Sequence, residues 1–178
     1  MSELEAETCF ADLLPVTIGG VTLREAEVGS AHAVLPYATA TPEALQEALG
    51  MPFPGAGQSV TQGDTRLIWW GREEALLLGR APGRELSALA AVIDQGDAWC
   101  FAELSGAGSE DVLARLVPVD LRAAHFAQGA TARSLLGHMH ASITRTGPDT
   151  FMVAVFRSLA GTLVHDLTQA LEAVAARR

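Results

Sequence analysis

The chain has 178 residues, and all 12 of its basic residues are arginine, so against 21 Asp and Glu the formal net charge is −9 with histidine neutral. An acidic chain of pI near 4.9, whose arginines form no cluster longer than Arg177-Arg178, repels phosphate backbones and anionic lipid, which excludes nucleic acid and membrane surfaces as partners. With 49% apolar residues the chain can bury a core of its own, at a length suited to one domain, and no apolar run approaches the roughly 20 residues of a spanning helix.

The first residues, Met1-Ser2-Glu3-Leu4-Glu5-Ala6-Glu7, are acidic where an export signal is basic and then apolar, which places the chain in the cytoplasm. Residues 1–20 carry no sustained period and end at Gly19-Gly20, so they read as an N-terminal tail free to dock on a partner, ahead of a single domain over 21–178. Residues 21–28 and 32–37 are short β-like runs separated by Gly29-Ser30. Thr41-Pro42-Glu43 then supplies an N-cap, a first-turn proline and an acid for the helix dipole, and Gly50 ends that helix. Prolines and glycines make 51–57 a loop.

Residues 66–70 and 75–78 are apolar runs joined by a short turn and read as a hairpin. Leu86, Leu89, Ala90 and Ile93 fall at i, i+3, i+4 and i+7, which predicts a helix. Residues 99–104 read as a strand, and Ser109-Glu110-Asp111 starts a helix ended by Pro118. Three strands follow over 131–136, 139–145 and 151–156. From Ser158 as cap, Leu159, Leu163, Leu167, Leu171 and Val174 lie at helical spacing.

Both halves, about 21–94 and 95–178, thus end as strand, turn, strand and amphipathic helix. Gly71 aligns with Gly147 and the Leu86 helix with the Leu163 helix, a shift close to 76 residues. The expected fold is α+β, with pseudo-duplicated antiparallel sheets and packed helices.

The residues offer little catalytic chemistry. Gly55-Ala56-Gly57 and Gly106-Ala107-Gly108 lack the third glycine of a dinucleotide fingerprint, no lysine completes a phosphate loop, and Ser105 and Ser158 stand outside Gly-x-Ser-x-Gly. His138 and His140 share one strand face with Ser142 and Thr144; they can ligate zinc only with a third ligand from elsewhere, and otherwise that polar face meets solvent or a partner. His125 and His165 read as surface residues. Trp69, Trp70 and Trp99 read as core or interface anchors, and Cys9 and Cys100 as reduced thiols.

A longer pattern is carried by Asp94-Gln95, Glu103-Leu104-Ser105-Gly106, Leu116-Val117-Pro118-Val119-Asp120-Leu121, Leu135-Leu136-Gly137-His138-Met139, Thr144-Arg145-Thr146-Gly147, Phe156-Arg157-Ser158 and residues 163–167. These segments, extended by Leu67-Ile68-Trp69-Trp70-Gly71 and residues 74–78, resemble the gamma subunit of heterotetrameric sarcosine oxidase. The turns at Arg72-Glu73 and Ala107 depart from that pattern.

The resemblance implies a complex that oxidatively demethylates sarcosine to glycine and passes the one-carbon unit to tetrahydrofolate. It places the flavins FAD and FMN on or beside a beta subunit, NAD and tetrahydrofolate on an alpha subunit and zinc on a delta subunit, with these three as partners. It also implies a fold similar to the folate-binding domain of the glycine-cleavage aminomethyltransferases. This chain is then a non-catalytic subunit without a cofactor of its own, and Arg145, Arg157, His138 and His140 are its candidate partner interface. The alternatives are a free-standing folate-dependent aminomethyltransferase-like protein and a generic interaction module.

Overall fold

The computed structural model describes residues 8–177. Among them two antiparallel sheets alternate with few helices, an α+β arrangement. One sheet holds β1 (Val16–Ile18), β2 (Val21–Glu25), β8 (Trp99–Ser105), β11 (Thr150–Phe156), β10 (Met139–Gly147) and β9 (Thr131–Leu136), side by side in that order. The other holds β4 (Ser59–Gln62), β5 (Thr65–Gly71), β6 (Glu74–Gly79), β3 (Ser30–Pro36) and β7 (Ala90–Asp94). The helices are α1 (Pro42–Leu49), α2 (Ser109–Leu113) and α3 (Ala160–Ala175).

The period-2 pattern of the central strands divides their side chains between two cores. Along β8, Cys100, Ala102 and Leu104 point to a core completed by Leu163, Leu167 and Leu171 of α3, while Trp99 and Phe101 point to the second sheet. Ile68 and Trp70 of β5 and Leu76 and Leu78 of β6 meet them there. On its far side the second sheet buries Leu67, Ala75 and Leu77 against Leu45 and Leu49 of α1. The layers therefore run helix, sheet, sheet, helix.

The sheets repeat an order. The run β3, α1, β4, β5, β6 and the run β8, α2, β9, β10, β11 give the same strand sequence, β4-β5-β6-β3 and β9-β10-β11-β8. Both hairpins shift register at the paired glycines, between Trp69 and Gly71 and between Arg145 and Gly147. The outer neighbour differs: β7 flanks β3, whereas β2, from the start of the chain, flanks β8.

Several expectations need correction. Residues 86–93 form no α-helix; a 3₁₀ turn over Arg84–Ala88 buries Leu86, and β7 then pairs along the open side of β3, leaving Ile93 exposed. The pairing of a Leu86 helix with the Leu163 helix is lost with it. Ser158 lies in a 3₁₀ turn, Arg157–Leu159, and does not cap α3. Ser109 is inside α2, where its hydroxyl donates to Gly106 O and Asp149 O. Of the expected tail, residues 1–7 lie outside the described residues, and residues 8–20 pack on the domain through fully buried Phe10 and the pairing of β1 with β2. Cys9 and Cys100 form a disulfide with Cα atoms 5.8 Å apart, so they are not reduced thiols.

Candidate functional site

The layer between the sheets has two unlike ends, because β5 and β8 run oppositely across it: Trp70 meets Trp99, and Arg66 lies toward Glu103. The first end is aromatic. Trp70 and Trp99 contact edge to face with centroids 4.7 Å apart, and Phe156 stacks on Trp99 at 4.3 Å. Arg133 of β9 covers both indoles, its guanidinium carbon 4.1 Å from the Trp70 ring centre and 5.0 Å from that of Trp99. Its Nη1 also donates to Trp70 O at 3.2 Å. Burial lowers the Arg133 pKa and the field of Glu74 opposes that shift.

Beyond this ladder the sheet face is uncovered. Leu135 pairs with His140 across β9 and β10, and Phe156 lies on the neighbouring strand β11, where Ala141 pairs with Val155. Leu135 is 42% and Phe156 43% exposed, and His138, His140 and Arg157 are exposed beside them. Leu135 and Phe156 thus stand exposed on one sheet face with His140 on the strand between them. The sequence signal was the period-2 alternation of Arg133 with Leu135, which reasoning from motifs passed over.

Of the sequence-picked residues, His138, His140 and Arg157 therefore gather at one end of the first sheet. Arg157 Nη1 reaches Cys9 Sγ at 3.4 Å, beside the disulfide. Ser142 and Thr144, expected with the histidines on a face meeting solvent or a partner, are buried against the second sheet, where Thr144 bonds Thr131 at 2.8 Å. Among the described residues no three His, Cys, Asp or Glu side chains come together as a metal cluster.

Arg145 is at the other end of β10 and only 2% exposed. Its guanidinium bonds Glu110 Oε2 at 2.6 Å, Pro148 O at 2.5 Å and Leu121 O, and stacks on Phe151 at 4.4 Å. It ties α2, the 114–130 connection and the β10–β11 turn together.

Residues 33–172, from β3 to α3, match the family described as sarcosine oxidase, gamma subunit, which is well over half of the chain. The chain belongs to that family. The match takes in both repeated runs, the aromatic ladder and all four sequence-picked residues of this gamma subunit, and leaves out β1, β2 and Cys9. A chain of the heterotetrameric sarcosine oxidase from Corynebacterium sp. U-96, solved in complex with pyrrole 2-carboxylate, shares its fold with TM-score 0.83 at 21% identity, over 96% of each chain. No curated protein matches. A gamma subunit is by definition one part of a larger oxidase, so other subunits are its partners.

Proposed function

We propose that this gamma subunit is a non-catalytic assembly component, and that the exposed end of its first sheet, Leu135, His138, His140, Phe156 and Arg157, carries the contact with the larger subunits. The observation behind this reading is the exposure of Leu135 and Phe156 on the sheet face next to the Trp99–Trp70–Arg133 ladder. A rigid aromatic neighbour keeps such a face ordered before binding, which lowers the entropy cost of association. Arg145 supports the subunit from inside.

On this reading the partners are alpha, beta and delta subunits in the cytoplasm, and FAD, FMN, NAD, tetrahydrofolate and zinc belong to them. The complex oxidises sarcosine to glycine and passes the one-carbon unit to tetrahydrofolate. Co-expression of the four chains tests it. Leu135→Asp with Phe156→Asp should reduce co-purification of the gamma chain about tenfold or more while the circular dichroism of the free chain stays unchanged. Full recovery of the complex with both charges in place overturns the assignment of this face. Saturable binding of tetrahydrofolate to the isolated chain would instead favour the aminomethyltransferase-like reading.

A further inference from the structure

The other end of the intersheet layer is polar and open. There β2, β5, β8 and β11 border a cleft of about 510 Å³ between the two sheets. Period 2 places Glu103 on the same face of β8 as Trp99 and Phe101, and Arg66 on the same face of β5 as Ile68 and Trp70.

Two groups in this cleft have unused bonding capacity of opposite sign. Arg24 donates through Nε at 3.0 Å and Nη2 at 2.7 Å, both to Oε1 of Glu103, and no described residue bonds Oε2. Arg66 is half-buried and forms no ion pair among the described residues. Its Nε donates to Thr61 Oγ1 at 3.0 Å, and Nη1 makes only a 4.0 Å contact with Met152 Sδ. Burial lowers its pKa against the raising field of Glu103, so the guanidinium is desolvated beside a carboxylate that another arginine already holds. A planar donor fork of this kind matches a carboxylate.

The remaining charges decide what kind of carboxylate ligand fits. Two arginines, Arg24 and Arg66, face three acids, Glu27, Asp64 and Glu103, so the lining carries one net negative charge. That disfavours polyanions such as phosphorylated ligands, while the arginines disfavour a simple cation. A ligand with one carboxylate and one ammonium satisfies both open groups at once.

We propose that this cleft binds a small zwitterionic amino acid, its carboxylate on the Arg66 fork and its ammonium on Oε2 of Glu103, with Met152 and Leu78 as the apolar wall. The site is independent of the subunit-contact face, and its test does not depend on assembly.

The test uses the full chain, with amide and Arg Nε chemical shifts followed as glycine is added. Glycine should shift Arg66 Nε and the Gly63 and Asp64 amides saturably. Acetate and methylammonium, each carrying one of the two charges, should bind about tenfold or more weakly. Arg66→Gln should abolish the shifts, and Arg66→Lys, which keeps charge and loses the fork, should weaken them about tenfold, both with an unchanged dispersed spectrum. Should either variant unfold, Glu103→Gln gives the same reading from the ammonium side, with loss of glycine binding expected. Absence of saturable shifts, equal binding of acetate and glycine, or shifts that survive Arg66→Gln overturns the proposal.

Discussion

Arg145 shows how one buried side chain can tie three segments of a fold together. A charge this deep is tolerated because Glu110 and two carbonyls accept from Nη1 and Nη2 and Phe151 takes its face, while Nε has no partner among the described residues. Arg145→Met should therefore cost about 3 kcal/mol, since Pro148 O and Leu121 O lose their donor, whereas Glu110→Gln should cost about 1 kcal/mol. Urea unfolding midpoints separate the two. At the surface, Arg122 bonds Asp120 at 2.8 and 2.5 Å, and the paired guanidinium holds that carboxyl well below the usual range. A depressed folded-state pKa contributes stability above the unfolded value and loses it as pH falls through the folded value. Asp120→Asn should accordingly lower the melting temperature slightly at pH 7, and the gap should shrink as the pH drops below about 4. A gap that widens in acid would contradict the pairing.

At the scale of elements, the joints between strands depend on backbone approach. Gly106 has φ +119°, and a Cβ there would come 2.4 Å from Gly20 O, where β8 leaves the sheet beside the β1–β2 turn. Both the strain and the clash involve backbone, which cannot move cheaply. Gly106→Ala should destabilise by about 2–3 kcal/mol, read from thermal unfolding. The sequence reading of Gly106-Ala107-Gly108 as a turn was correct, and its packing against Gly20 was not visible there. β7 teaches the reverse lesson. Leu86, Leu89, Ala90 and Ile93 meet the helical period, yet four positions are too few to outweigh the unpaired side of β3, which offers a full ladder to Ala90–Asp94.

Across the whole molecule, the N-terminal segment is held by three means: burial of Phe10, the β1–β2 ladder beside β8, and the Cys9–Cys100 disulfide spanning 91 residues. Closing a loop of that length restricts the unfolded chain, so replacing both cysteines by serine should cost about 4 kcal/mol. Native and guanidine-unfolded protein should show no thiol reactive to Ellman's reagent until a reductant is added. One full thiol equivalent in unreduced, unfolded protein would contradict the bridge.

The sequence by itself determined the strand and helix periods, the Thr41 cap and Gly50 stop of α1, the paired hairpin glycines and the family pattern, because each is written in neighbouring residues. It also brought His138, His140 and Arg157 forward, though not Arg145's burial or Arg133's place on the tryptophans. Those were decided only by tertiary structure, as were the disulfide, β7 and the opposite ends of the intersheet layer. Their partners lie tens of residues away, and whether a polar residue on a strand face meets water or a second sheet depends on what packs above it. Ser142 and His140, two residues apart on one face of β10, differ for that reason: the second sheet covers the first and stops short of the other.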